Sequence, residues 1–329
     1  MAQFPNSTGP NSGVWTLEDV YNARIGGNWP DATANRGIFS AGLTPSQTDI
    51  MDFVNISSAG NATDFGNLDA SLFGCGSVSS STRGVVGGGG NPANDGVNTL
   101  QYVTILTTGN TQDFGDLNSS VRVNGPAGVS NSTRGLFAGG EGAAPGYPTT
   151  NVIDYITIAS TSNATDFGDL AANGYTLGGT ASGTRGVFAG GKPGNVNTIQ
   201  YVTINSTGNT SDFGDLTVGR GRIGSGVQSS GTRGIFSGGE TPVASNIIDY
   251  ITIASTGNAT DFGDLTNTTS SVCGATSNTI TALTSGMSTS TNTIDFVTIA
   301  STGNASDFGD LTVGRLYITG MSNVHGGLS

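Results

Sequence analysis

The sequence is poor in the residues on which most enzymes and nucleic-acid-binding proteins depend. Its 329 residues include one lysine (Lys192), one histidine (His325), two cysteines and two tryptophans. A single histidine excludes a metal site with several imidazole ligands and leaves a Ser-His-Asp triad only one residue to use. With one lysine and scattered arginines the chain has no basic patch to neutralise phosphates, so we expect no nucleic-acid partner.

Long hydrophobic runs are also missing. No stretch reaches the roughly 18 apolar residues of a membrane helix, and the opening MAQFPNSTGPNSG lacks the cationic and apolar regions of a signal peptide. We therefore expect neither membrane insertion nor an export signal. Cys75 and Cys273 are far apart and follow neither CxxC nor zinc-site spacing, so we expect two buried thiols.

The low charge content and the many glycines restrict the fold class. Charged residues make up 10% of the chain, 54 residues are glycine, and 11 Lys+Arg against 23 Asp+Glu give a net charge of −12. Helical bundles and doubly wound α/β enzymes need long amphipathic segments of Leu, Ala, Glu and Lys, which this chain lacks. Aromatic and β-branched residues recur in regular clusters, which argues against disorder. The sequence therefore predicts an all-β protein.

A repeat of about 49 residues accounts for these clusters. The phrase Asp-Phe-Gly occurs six times, at spacings of 49, 53, 46, 49 and 46 residues, and it starts at Asp64, Asp113, Asp166, Asp212, Asp261 and Asp307. A second phrase, Arg-Gly before apolar and small residues, starts at Arg36, Arg83, Arg134, Arg185 and Arg233 and is degenerate around Ile280. Between them, segments such as NVIDYITI alternate apolar and polar residues, which is typical of a half-buried strand.

Each repeat supplies up to four short strands, and four strands at this period match one blade of a β-propeller. The last copy is followed by a further Gly-rich strand, whereas the first Arg-Gly phrase has none before it. We therefore predict a six-bladed propeller over residues 36–329. The C-terminal strand closes it by placing residues 316–324 beside 36–42.

The repeat resembles the kelch repeat. The family's paired glycines correspond to Gly139–Gly140, Gly190–Gly191 and Gly238–Gly239, and its strand tyrosine corresponds to Tyr102, Tyr155, Tyr201 and Tyr250. The chain differs from the family in having phenylalanine where tryptophan is usual. The resemblance covers residues 36 to about 325 and implies a kelch-like propeller.

The repeated charged residues have a functional and a structural interpretation. The two aspartates of each DFGD phrase offer the oxygen ligands that calcium takes, but a turn beside the preceding Asn explains them as well, and we favour the turn. We interpret the arginines as structural ion pairs or as bridges to carbonyls between strands. The Asn-x-Ser/Thr triplets at Asn61, Asn163, Asn258 and Asn304 recur at the same place beside this phrase, and we attribute them to the turn. We expect no enzyme activity, no catalytic residues, no metal and no cofactor.

Residues 1–35 lie outside the repeat and form a separate N-terminal arm. The segment Thr16-Leu-Glu-Asp19 resembles a capping box, so we predict a short helix that Gly26-Gly27 ends. So short a helix is not stable alone, and its apolar face must dock on its own propeller or on a neighbour. The candidate assembly residues are Trp15, Leu17, Val20, Tyr21, Ile25 and Trp29.

The segment GVWTLEDVYNARIGGNWP, followed by Gly-rich repeats, resembles structural proteins of tailed bacteriophages. The resemblance implies a non-enzymatic virion protein, either a tail fibre or adhesin or a capsid decoration, assembled in the host cytoplasm and then extracellular. It would be oligomeric in the particle, contact other virion proteins through the arm and bind a host-surface glycan or protein. The alternative is a cellular kelch-type interaction adaptor. Tyr147, Tyr175 and Tyr317 could bind sugars or pack between blades, and we favour packing for the last two.

Overall fold

The computed structural model describes residues 35–93, 96–118, 125–142, 146, 148–287 and 291–328, and this part of the chain is all-β. In chain order the strands are β1 Arg36–Ser40, β2 Thr48–Asn55, β3 Thr63–Leu72, β4 Gly76–Ser79, β5 Arg83–Gly87, β6 Thr99–Thr104, β7 Gln112–Asp116, β8 Ala127–Ser130, β9 Arg134–Ala138, β10 Val152–Thr157, β11 Thr165–Asp169, β12 Gly178–Ala181, β13 Arg185–Ala189, β14 Thr198–Thr203, β15 Ser211–Asp215, β16 Arg233–Ser237, β17 Ser245–Thr252, β18 Thr260–Thr269, β19 Gly274–Ser277, β20 Thr281–Ser285, β21 Thr293–Thr298, β22 Ser306–Asp310 and β23 Thr319–Ser322. One 3-10 helix, Gly326–Leu328, follows β23. These described ranges contain no helix long and apolar enough to cross a membrane.

The strands form six antiparallel sheets, which are the blades of a propeller. Blade 1 has the order β23-β1-β2-β3, blade 2 is β4 to β7, blade 3 is β8 to β11, blade 4 is β12 to β15, and blade 6 is β19 to β22. Blade 5 is a three-stranded sheet of β16 to β18. The prediction of an all-β, six-bladed propeller is confirmed. The predicted N-terminal helix lies outside the described residues.

The innermost strand of blade 1 comes from the far end of the described chain. β23 pairs antiparallel with β1, with Gly37 opposite Ser322 and Ser40 opposite Thr319. An isolated bridge beyond this ladder joins Leu43 to Leu316. Blade 1 thereby acquires the same four-stranded form as the blades built from consecutive strands.

The strand directions give the propeller two faces. The loop face carries the loops from the second to the third strand of each blade, such as 41–47, and the connections into the next innermost strand, such as 73–75. The turn face carries the turns between the other strands, such as 80–82 and 105–111. Because β1 begins and β23 ends on the turn face, residue 35 and the 3-10 helix both lie there.

The apolar core is divided among the blade interfaces. Six clusters of buried apolar side chains each draw mainly on two adjacent blades. The cluster between blades 6 and 1 includes Phe39, Ile56, Leu283 and Phe308, all buried. Each blade also pairs the phenylalanine of its DFG phrase edge-to-face with the aromatic ring of its third strand, at centroid distances of 5.9–6.1 Å. The phenylalanine therefore serves as a packing residue.

Blade 5 departs from the pattern at the central axis. Nine positions separate Gly224 from Arg233, whereas seven separate Gly76 from Arg83, so blade 5 has two extra residues before its Arg-Gly strand. Segment 224–229 accordingly forms isolated bridges in place of a regular strand.

The extra residues of blade 5 fill the axis. Ser225 lies between blades, because its Oγ donates to the carbonyl of Cys75 in blade 2 at 3.2 Å. A Cβ atom at Gly226 would overlap the carbonyl oxygens of Ala275 and Gly320 in blades 6 and 1. The backbones therefore meet at the centre too closely for a side chain at this glycine.

Candidate binding site

The repeated arginines bridge adjacent blades through carbonyl oxygens. Each guanidinium lies 4.2–4.4 Å from the centroid of the aromatic ring on the third strand of its own blade. Its Nη1 donates to a carbonyl of the next blade at 2.9–3.0 Å, in the pairs Arg36–Ile105, Arg83–Ile158, Arg134–Ile204, Arg185–Ile253 and Arg233–Ile299. Of the two alternatives from the sequence, the structure shows the carbonyl bridge. The cation–π stacking was not predicted.

The DFGD phrase forms the outermost strand of each blade, so its interpretation as a turn is wrong. Its first aspartates are exposed on these strands: Asp64, Asp113, Asp166, Asp212, Asp261 and Asp307. The outermost strand has a bulge at the glycine of this phrase, as β11 does at Gly168, whose φ is +147°. A Cβ atom at Gly168 would come within 2.5 Å of the Gly208 carbonyl of the next blade.

Asparagine side chains of the turn face join each outermost strand to the next blade. In each case Oδ1 accepts from the backbone N–H of the residue after the bulge glycine, at 3.0–3.1 Å, as Asn209 does from Asp169. The six asparagines are Asn61, Asn110, Asn163, Asn209, Asn258 and Asn304. Five of them begin an Asn-x-Ser/Thr triplet, namely Asn61, Asn163, Asn209, Asn258 and Asn304, and these asparagines therefore have a structural contact across blades.

A buried polar side chain occupies the same place on every third strand: Asp52, Gln101, Asp154, Gln200, Asp249 and Asp295. Two of the aspartates pair with fully buried arginines, Asp52 with Arg315 at 2.9 Å and Asp249 with Arg220 at 3.1 Å. Asp295 accepts instead from the N–H and the hydroxyl of Thr266, both at 2.7 Å, and burial raises the pKa of its carboxyl. These groups stabilise contacts between blades.

The single histidine and the two thiols are buried. His325 Nδ1 accepts from Gly327 N at 3.1 Å and Nε2 lies 3.3 Å from Ser130 Oγ, and burial lowers the pKa of the imidazole to about 4. Burial raises the pKa of Cys75 and Cys273 to about 12, and both are free thiols. Within the described ranges, no three His, Cys, Asp or Glu side chains gather closely enough to hold a metal ion.

An aromatic cup lies on the loop face. We give this name to the cavity of about 290 Å³ whose walls carry Phe73, Tyr175, Tyr317, Glu141 and Arg222. Leu43, Gln47 and Thr176 complete the lining. The three rings come from the connections into the innermost strands of blades 2, 4 and 1, so the ring of blades assembles the cup.

The local backbone positions these side chains. Thr176, Arg222 and Tyr317 adopt left-handed backbone conformations, with φ of 53°, 55° and 56°. Gly74 and Gly125 take the corresponding place in blades 2 and 3. Residues other than glycine adopt this conformation rarely, and its occurrence three times around one cavity is a local cost typical of ligand sites.

The cup combines apolar ring surfaces with hydrogen-bonding groups. The rings of Phe73 and Tyr317 meet edge-to-face at 6.0 Å and 78°, and the Arg222 guanidinium lies 5.8 Å from the Tyr317 centroid. Arg222 Nη1 also contacts Glu240 Oε2 at 2.8 Å. Burial, and next the charge of Glu141, raise the pKa of the Tyr175 phenol.

The expected packing between blades is present for Tyr317, whose ring meets Phe73 of the neighbouring blade. Tyr175 and Tyr317 are also partly exposed and line the cup, which the expectation did not include. The three rings share a sequence context, because an aromatic residue precedes three Gly-rich inner strands, as Phe73-Gly-Cys-Gly, Tyr175-Thr-Leu-Gly and Tyr317-Ile-Thr-Gly. This context alone does not show that the rings meet in one cavity. Tyr147 lies outside the described residues. So do the arm candidates Trp15, Leu17, Val20, Tyr21, Ile25 and Trp29.

Comparison with protein-family models gives no match, and no curated protein matches the sequence. A function for this chain is therefore inferred from its own residues and geometry.

Proposed function

We propose that the protein is a non-enzymatic binding propeller, attached through its N-terminal segment and presenting its loop face. The observation that supports this is the position of two features on opposite faces. Residue 35, where residues 1–34 join the propeller, lies on the turn face, and the aromatic cup lies on the loop face. An attachment made near residue 35 leaves the cup accessible from the other side.

The repeated arginines, two buried arginines and the single histidine make structural contacts, and this supports a binding function over a catalytic one. The repeated arginines donate to carbonyls, Arg315 and Arg220 pair with buried aspartates, and His325 is a buried neutral imidazole. These contacts make a rigid support for the loops of the loop face. We further propose that the blades are kelch-like and that the β23–β1 pairing closes the ring.

The form of this function that we favour is a virion structural protein of a tailed bacteriophage, a tail fibre or adhesin or a capsid decoration. It is supported by the resemblance of residues 13–30 to such proteins. In this proposal, the arm contacts other virion proteins, and the loop face binds a host-surface glycan or protein. Synthesis in the host cytoplasm precedes release in the particle.

Quantitative mass spectrometry of purified phage particles tests this proposal. We expect the chain in virions, with many copies for a capsid decoration and few for a tail protein. Deletion of residues 1–34 should abolish incorporation while the melting temperature of the propeller stays unchanged. Absence from particles, together with recovery from cell lysate beside one protein partner, would favour a cellular kelch-type adaptor instead.

A further inference from the structure

We propose that the aromatic cup binds one terminal ring of a neutral saccharide. This inference rests on the proposed binding function and names its ligand class. A sugar ring has apolar C–H faces and polar hydroxyl edges. The walls of the cup carry a matching surface for each, aromatic rings for the faces and hydrogen-bonding groups for the hydroxyls.

The apolar part of the site consists of the rings from three blades. Phe73 and Tyr317 stand nearly perpendicular at 6.0 Å, and Tyr175 forms a further wall. Aromatic rings offer large, rigid apolar surfaces, and tyrosine adds a hydroxyl at its edge. A flat pyranose ring can pack its C–H face on one of these rings while its edge remains close to polar groups.

The polar part offers both donors and acceptors. The Glu141 carboxylate accepts hydrogen bonds, the Arg222 guanidinium donates, and the Gln47 amide does both. Hydroxyl groups need partners of both kinds, because each can donate one hydrogen bond and accept two. Bonds to charged partners are stronger than neutral ones, which suits a shallow site of few contacts.

The charge balance of the cup favours a neutral ligand. Arg222 and Lys192 both contact Glu240, at 2.8 and 2.9 Å, and Glu141 lines the cavity. These two positive and two negative groups sum to zero. A cationic ligand would compete with Arg222 for the Tyr317 ring. An anionic ligand would meet Glu141 on a protein with net charge −12.

The volume and the closed axis restrict the ligand to one end of a chain. About 290 Å³ is at the lower limit of small-molecule pockets and suits a single sugar ring. The segment of blade 5 that contains Ser225 and Gly226 fills the axis, so a saccharide can enter the cup only from the loop face. Its remaining units therefore stay outside the cup.

Saturation-transfer NMR on the purified full-length protein tests the inference. The probes are the methyl glycosides of glucose, galactose, mannose and N-acetylglucosamine, with tetramethylammonium chloride and sodium glucuronate as charged comparisons. We expect at least one neutral glycoside to bind with a Kd on the order of 1 mM and the two ions not to bind. Binding of only an ion, or of no glycoside at about 50 mM, would overturn the inference.

Two variants locate the binding. Tyr317→Ala should weaken glycoside binding about fivefold or more, because loss of an aromatic contact removes on the order of 1 kcal/mol. Glu141→Gln should weaken it several-fold and does not depend on a core side chain for folding. The matched control is Tyr201→Ala, which removes a stacked tyrosine elsewhere on the fold and should leave binding unchanged. Equal binding in all three variants would place the glycoside outside the cup and refute the inference.

The two proposals fail separately. A chain found in virions that binds no glycoside overturns only the saccharide site. A chain that binds a glycoside and is absent from every particle overturns only the virion assignment.

Discussion

The buried pair of Arg315 and Asp52 couples blade 6 to blade 1. Arg315 lies in the connection between β22 and β23, and its Nη1 donates to Asp52 Oδ2 on β2 at 2.9 Å. Its Nη2 also donates to the Phe39 carbonyl at 3.0 Å, and both side chains of the pair are fully buried. Removing the arginine would leave a buried carboxylate without its cation.

We predict that Arg315→Leu lowers the free energy of unfolding by about 3–5 kcal/mol, the usual cost of breaking a buried ion pair from one side. At about 2 °C per kcal/mol for a domain of this size, the melting temperature should fall by roughly 6–10 °C. Urea unfolding followed by far-UV circular dichroism gives the free energy directly.

The chain itself supplies the compensating change. Gln101 and Gln200 occupy the place of Asp52 in blades 2 and 4, and there Oε1 accepts from Asp69 N and Ala171 N at 2.7 and 2.9 Å. Asp52→Gln added to Arg315→Leu should therefore recover most of the loss, since it removes the unpaired charge and keeps an acceptor.

The same substitutions at Arg220 and Asp249 of blade 5 form the matched control and should change stability in the same direction. A loss below about 1 kcal/mol for Arg315→Leu, or a further loss on adding Asp52→Gln, would refute the reasoning from the buried charge.

Four further predictions follow from other contacts. Deletion of residues 316–329 removes the buried apolar side chains of Ile318 and Met321 and should cost at least about 3–6 kcal/mol; an unchanged melting temperature would contradict closure by β23. The pKa of His325 is about 4 in the folded protein against 6.5 in the unfolded chain, so its contribution to the free energy of unfolding is fully present above about pH 6.5 and decreases by roughly 3 kcal/mol towards pH 4. His325→Gln should remove this acid-dependent loss in urea titrations. Asp295 has a raised folded pKa, so its contribution falls as pH rises from about 4, and Asp295→Asn should be more stable than wild type at pH 7 and equal to it in acid. Arg185→Ala loses its carbonyl bond and ring contact and should cost about 1–2 kcal/mol in a thermal melt while glycoside binding stays unchanged.

The repeat predicted the fold because the same residue types make the same packing contacts in each blade. Phe167 and Tyr155 recur at equivalent places, so alternation and period together indicate strands, blades and their number. The DFGD phrase was misread because Asp and Gly favour turns locally. The deciding contact, the Gly208 carbonyl against Gly168, belongs to the next blade.

The aromatic cup could not be derived from the sequence alone. Phe73, Tyr175 and Tyr317 are about 100 or more residues apart, and only the ring of blades brings them to one cavity. Each looks like an ordinary packing residue beside a Gly-rich strand. The stacking of Arg185 on Tyr201 likewise depends on the register of β13 against β14, which pairs Val187 with Tyr201.

The source of the innermost strand of blade 1 has a consequence for biosynthesis. β1 is synthesised about 280 residues before β23, its partner. At roughly 5–20 residues per second this leaves β1 with an unpaired edge for on the order of 15–60 s. An open strand edge is a template for pairing with another chain. Nascent chains on one polysome are therefore exposed to mutual strand exchange throughout this interval, and the yield of correctly folded protein should rise when translation is fast or when polysomes are sparse.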